Sequence, residues 1–540
     1  MKVSRRGMLA GLVAAGAVLP TGYFAWQKWD EAQEAELASD EPAVPVDDVP
    51  NALLGERLTG IWEWHLVAGD AALPELALPE LARPLELLLD VGQGARAVRG
   101  YLGLPPYADG MQVYAPLAAE RLPHLRLKLI STSGQGYDCE AVLDEIWGDW
   151  SQGGGGATLS GQVRLAGVQA GFSGPQGRFV ARRRPFVPAR ERLAFVPALH
   201  EQLISPGWRY FHQLWHATRD RWHRIDESRR QAVRGLGWQA GPLGKERNAR
   251  GHDRHLNGSG EDFLFMHRHM LHGVRQVQDL RSWPCLPAPR PFVGENRQAF
   301  ADYMNNVTGY SVPPCWQADD DDHFNQWLYY IKSREGLYAN FQLWEAQLHD
   351  PEYLSTLCLG ELGSRIELGI HDWLHMRWAA MAQDPNTGWP MAYARRNHDF
   401  SERWFGASND FLGDPFSSHV NPVFWAFHGW LDDRLEDWFL AHEQAHPGEV
   451  RRLTVNGIPW FAPGRWVRVA EPWLGPSSEG CGAWGKGNGG GSQLDIETMK
   501  LALQVIFSPD QEAERLMKRV PPSRPWFARY LAPGPRKDGL

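Results

Sequence analysis

The chain has 540 residues, 43% hydrophobic, 22% charged and 11% aromatic, with a formal net charge of -9. That hydrophobic share excludes a mostly disordered chain, and the length favours two or three domains over a single core. Mild acidity speaks against a nucleic-acid partner, which needs a concentrated basic face, and the five cysteines are too few for a disulfide-built scaffold.

Residues 1–27 read as an export signal. Ser4 precedes the pair Arg5-Arg6, and an Ala- and Gly-rich apolar run follows to about Leu19. Paired arginines before a weakly apolar stretch resemble a twin-arginine signal, which carries folded proteins, often with cofactors, out to the periplasm. The uncharged stretch from Gly7 to Gln27 also suffices for a retained anchor, and no small-x-small cleavage site decides between the two. No other apolar run has membrane-spanning length, so no membrane contact is expected for the mature body. Residues 28–52, rich in Glu and Asp and punctuated by Pro42 and Pro45, form an acidic linker.

Residues 53–195 change to short strands. Leu125, Leu127 and Leu129 alternate with Arg126 and Lys128, the period of a half-buried strand, and Pro105-Pro106, Ser133 to Gly136 and Gly153 to Gly156 supply turns. An antiparallel β-barrel or sandwich is expected, serving as a structural or dimerising module; a homodimer is one state it allows. Residues 196–450 are helical. Trp208, Phe211, Trp215, Thr218, Trp222 and Ile225 recur every three or four positions, the aromatic face of a long helix. Residues 451–520 return to strands and loops between Leu453 and Trp466, then a Gly-rich segment and a helical stretch from Thr498 to Arg519. A Pro-stiffened aromatic tail occupies 521–540. The expected class is α+β multidomain, a β-module followed by a mainly α four-helix bundle.

Three histidine pairs are spaced i, i+4: His212/His216, His371/His375 and His442/His446. On a helix such pairs share a face about 6 Å apart, so both rings can reach one metal ion. Two pairs have company downstream. His267 follows the first, and His428 follows the second. Two helical pairs, each with a lone histidine on a later helix, describe two three-histidine sites in one bundle. A shell of imidazoles without carboxylate leans toward copper over a carboxylate-bridged di-iron centre. His223, His252 and His255 remain competing ligands for the first site. The third pair, His442-Glu443-Gln444-Ala445-His446, matches the HExxH zinc string, but it sits at a helix end before Pro447-Gly448 and reads as a solvated terminus.

Other strings read blandly. Gly485 to Gly490 fits GxGxxG without a βαβ unit around it, Asp319 to Asp322 is a solvated acidic loop, and Cys285 and Cys315 can pair in an oxidising compartment.

The segment Phe263-Leu264-Phe265-Met266-His267-Arg268 resembles the first copper-site signature of tyrosinases and, less closely, of arthropod hemocyanins. Asn421-Pro422-Val423-Phe424 through His428 to Asp432 is similar to the second-site signature, with Asn421 where the family has Asp; Met266 stands where it has Trp. The resemblance implies a type-3 dicopper centre using O2 as co-substrate. His212, His216 and His267 would hold one copper, and His371, His375 and His428 the other. Asp432 would hydrogen-bond a ligand imidazole, Phe424 would stand beside the substrate ring, and Asp372 or Glu361 would take the phenol proton or hold water. The order of parts is similar to that of the tyrosinases that mature the siderophore pyoverdine. That likeness implies oxidation of a tyrosine side chain in a ferribactin-like peptidic precursor, with Tyr530 on a C-terminal lid as a placeholder over the coppers. A catechol oxidase without monophenolase activity and a hemocyanin-like oxygen binder are the alternatives.

Overall fold

The computed structural model describes residues 58–67, 84–91, 97–116, 126–131, 138–147, 158–166, 176–222, 224–238, 246–247, 253–254, 259–316, 322–333, 336–388, 391, 397, 399–475 and 493–507. The export signal, the acidic linker, His223, His252, His255, the Gly-rich segment and the tail with Tyr530 lie outside these residues.

Eight strands form a closed antiparallel barrel in sequence order: β1 (Gly60–Val67), β2 (Leu85–Asp90), β3 (Ala97–Gly103), β4 (Gly110–Pro116), β5 (Arg126–Ser131), β6 (Asp138–Trp147), β7 (Thr158–Ala166) and β8 (Gln176–Arg183). β1 pairs with both β2 and β8, so no edge is left for a further strand. Alternate residues fill the interior: Trp62 and Trp64 from β1, Leu87 and Leu89 from β2, Leu127 and Leu129 from β5, and Phe179 from β8. Trp64 stacks on Phe179 with ring centroids 4.1 Å apart.

The alternation fails in Leu87-Leu88-Leu89 because β2 is covered on both faces. Ile61, Leu88 and Tyr101 point outward and pack against Val293, Phe300 and Ala301 of the helical region. Ion pairs ring this contact. Arg290 binds Asp90, whose other oxygen accepts from Val293 N at 3.1 Å, and Arg184 meets Glu86 at 2.6 Å.

The helical region uses α1 (Pro197–Ile204), α2 (Pro206–Arg221), α3 (Glu227–Gly235), α4 (Ser259–Arg275), α5 (Arg297–Met304), α6 (Asp322–Lys332), α7 (Gly336–His349), α8 (Leu359–Arg365), α9 (Asp372–Trp378) and α10 (Pro422–Ala445). A hairpin of β9 (Arg452–Val455) and β10 (Ile458–Phe461) follows, then α11 (Gln493–Phe507). α11 lies on α2 and α3. Trp215, Trp283, Trp425, Trp430, Trp438 and Trp460 are all buried in one core, so these tryptophans serve packing.

α4 and α8 cross with their backbones touching. A Cβ on Gly363 would stand 2.1 Å from the Gly260 carbonyl oxygen, and one on Gly260 would stand 2.2 Å from that of Gly360. Only glycine permits this approach. Between α8 and α9 the chain makes a π-turn over Ile366–His371, kinked at Gly369. Such turns recur where a helix must re-aim a functional side chain. α10 starts at Asn421, whose side chain accepts from Val423 N at 3.0 Å ahead of Pro422. Asn and Asp cap a helix equally well, which accounts for Asn at this position. Among the described residues no helix is long and apolar enough to cross a membrane.

Candidate metal centre

Four stretches of chain deliver six histidines to one buried place. α2 carries His212 and His216 one turn apart, with ring centroids separated by 4.9 Å. α4 brings His267. The π-turn and α9 bring His371 and His375, at 4.5 Å, and α10 brings His428. None of the six is more than 5% exposed.

Their ring nitrogens converge. One nitrogen each from His212, His216 and His267 lie mutually within 4.8 Å, and so do those of His267, His371 and His428. His371 Nε2 is 3.0 Å from His375 Nε2 and 3.2 Å from His428 Nε2. His267 bridges the two groups, its ring stacking on that of His428 at 4.6 Å.

In four of the rings the other nitrogen fixes the tautomer. Nδ1 of His267 donates to Phe263 O at 2.9 Å, that of His375 to Leu412 O at 2.7 Å, and that of His428 to Phe424 O at 2.8 Å. His371 Nδ1 donates to Asp372 Oδ1 at 3.1 Å. A neutral imidazole has one N–H, so these partners leave the Nε2 lone pairs facing one another. Nε2 of His212 and of His267 are buried without a hydrogen-bond partner. Nitrogens held at about 2.0–2.1 Å from one ion at roughly tetrahedral angles stand about 3.3 Å apart. The 3.0 and 3.2 Å around His371 fit that spacing.

Burial above all disfavours protonation of five of the rings. Burial takes His267 down to about 4 and His375 to about 3. His212, His216 and His428 fall well below the ordinary imidazole range, through burial first and neighbouring rings second. Phe424, fully buried, stacks on His428 at 3.7 Å and stands edge-on to His212 at 5.6 Å.

A charged layer invisible to the sequence reading lies behind the rings. Arg219 on α2 and Glu367 in the π-turn form a buried pair, with Nη1 to Oε1 at 2.5 Å and Nη2 to Oε2 at 3.1 Å. On α4, Glu261 accepts from Arg468 N and Val469 N at 2.9 and 2.7 Å, and Asp262 from Trp473 N at 2.8 Å. These bonds tie the segment after β10 to the helix bearing His267. Burial pushes both carboxyls up to about 7. Glu367 sits four residues before His371 and Arg219 three after His216; the helical face was the available signal for both.

Several expected roles fall elsewhere. Asp432 accepts from Arg268 Nε at 2.6 Å; it lies a full turn beyond His428, where the neighbour of His267 meets it. The carboxylate that meets one of the six rings is Asp372, on His371. Glu361, in the first turn of α8, is half-buried and paired with Arg365 at 2.5 Å, outside both histidine groups. His442 and His446 reach Leu357 O and Ser355 O through Nε2 at 3.0 and 3.2 Å. His442 is fully buried, so this helix end is anchored where a solvated terminus was expected. Cys285 and Cys315 are not joined in a disulfide, and the Cys315 thiol donates to Trp316 O at 3.6 Å.

No family model matches the chain, and no curated protein matches it. What bears on function is the pair of histidine groups, which could hold a metal ion.

Proposed function

We propose that the protein is a copper-dependent monophenol and diphenol oxidase of the tyrosinase type, acting on the tyrosine side chain of a peptidic, ferribactin-like siderophore precursor. The observation that carries this reading is the convergence of six buried imidazoles: two adjoining groups of three share His267, and His375 stands 3.0 Å from His371. The donor set contains only imidazole nitrogen, which suits copper above the carboxylate-rich di-iron class. Copper bound there would supply the redox chemistry by which O2, taking up four electrons, turns a phenol into an o-quinone, with one oxygen entering the ring and the other leaving as water.

The chain's own part is positional. Asp372 Oδ1 and the carbonyls of Leu412, Phe424 and Phe263 hold the Nδ1 protons of four rings, fixing which atom faces inward. Because Asp372 holds the proton of His371, its role in this reading is orientation of that ring. Phe424 closes the apolar wall between the groups and keeps water from the reacting oxygen. Tyr530 belongs to the same reading as a phenol that occupies the site until the tail moves.

The test is copper content together with turnover of tyramine on the intact chain and on a chain lacking residues 521–540. Two coppers per chain and quinone formation, with a shorter lag after truncation, support the proposal. Copper binding with turnover of diphenols alone identifies a catechol oxidase. Copper binding with no turnover identifies an oxygen binder, a reading that the near-complete burial of the six rings also favours. No copper uptake refutes all three.

A further inference from the structure

His419, in the short turn Ser418–Val420 ahead of α10, is fully buried and lies in neither histidine group. Its Nε2 is 3.0 Å from Leu203 O at the end of α1, and a carbonyl can only accept, so the ring's proton sits on Nε2. Its Nδ1 is then an acceptor. That atom faces His212 Nδ1 at 3.1 Å, so the proton between them belongs to His212. His212 is left with a bare Nε2, the same atom that is buried without a hydrogen-bond partner beside His216 and His267.

The position of His419 is itself built. Its ring lies 5.8 Å from Trp208 and 5.2 Å from His212, edge-on to the latter. Arg209, fully buried, donates to the carbonyls of Ile204, Gly406, Asn409 and Phe416 at 2.9–3.3 Å, drawing the 406–416 loop onto α2. The Pro415 carbonyl of that loop also touches both rings. His267, His371, His375 and His428 are oriented by carbonyls or a carboxylate, which accept whatever their surroundings. His212 also meets an imidazole, which accepts only in one tautomer, beside the Pro415 carbonyl.

We infer that His419 is the positioning residue of the first metal group, fixing through its Leu203-anchored tautomer which nitrogen of His212 faces the ion. The inference rests on the dicopper reading above. It predicts that loss of the acceptor loosens one ion while the group around His371 keeps the other.

The experiment loads the full-length chain with copper and follows release to a chelator. Wild type should hold two equivalents with similar release rates. In His419→Leu, one equivalent should leave at least tenfold faster, the usual consequence of losing an orienting partner. His419→Gln, whose amide oxygen can accept from His212 and whose amide nitrogen can reach Leu203 O, should restore slow release. His419→Asn, one methylene shorter, should not. If His419→Leu fails to fold, the Gln and Asn variants decide alone. Equal release from Gln, Asn and wild type would overturn the inference and assign the task to Pro415 O. Wild-type protein that takes up no copper would instead overturn the dicopper reading.

Discussion

Replacing Gly363 by alanine tests whether the spacing of the histidines is set by the crossing of α4 and α8. The new Cβ would stand 2.1 Å from Gly260 O, about 1.3 Å short of ordinary contact. The obstacle is backbone on both sides, so no rotamer change relieves it and the helices must part by about 1 Å. Overpacking of this kind costs about 1–3 kcal/mol, offset by roughly 1 kcal/mol of helix propensity gained from glycine to alanine. The net loss in stability is therefore small. The consequence for the centre is larger, because α4 carries His267 about 10 Å further along and α8 leads into His371. Metal–ligand distances tolerate about 0.2 Å, so a shift of 1 Å should weaken metal binding at least tenfold. The assay pairs thermal melting with a chelator competition. Gly207→Ala, with open space around its Cβ, is the control and should leave metal retention unchanged and melting no lower than wild type. Wild-type metal retention in Gly363→Ala would refute the reasoning.

Arg219→Met leaves Glu367 buried without its cation and should destabilise the protein by about 3–5 kcal/mol, whereas Arg219→Met with Glu367→Leu should recover most of that loss in a denaturant titration. The metal-free protein should lose stability on acidification. The buried histidines have folded pKa values below the unfolded 6.5, so the unfolded chain takes up protons first and stability falls as pH drops from about 6.5 toward 4. Glu261 and Asp262, raised to about 7, work in the opposite direction over part of this range but are outnumbered. Melting temperatures of the metal-free chain at pH 5 and pH 7.5 check the sign, and a higher value at pH 5 contradicts it.

The barrel was legible because strands with one solvated face alternate, and Leu127 and Leu129 point inward as their spacing required. The apolar run Leu87 to Leu89 gave no such period, since contact with Phe300 and Ala301 buries its outer face too. The histidine pairs were legible because i, i+4 spacing puts two rings on one helical face whatever the fold. Which lone histidine joins them depends on helices meeting in space, as α4 and α8 do at Gly260 and Gly363. Asp432 looked like a partner for an imidazole by spacing alone, yet its carboxylate meets Arg268, a residue 164 positions away in sequence. His419 and Glu367 escaped notice for a similar reason, because their partners His212 and Arg219 come from a distant helix. Of the acids Asp319 to Asp322, read as a loop, only Asp322 falls among the described residues, and there it opens α6.

The most direct test of the account is the copper content of the purified full-length chain, in wild type and with His371→Ala or His428→Ala, measured beside zinc and iron. Two coppers per chain in wild type, about one in each variant, and loss of phenol oxidation in both variants is the predicted result. Full copper content and full activity in either variant, or a wild-type chain that takes up zinc and rejects copper, would contradict it.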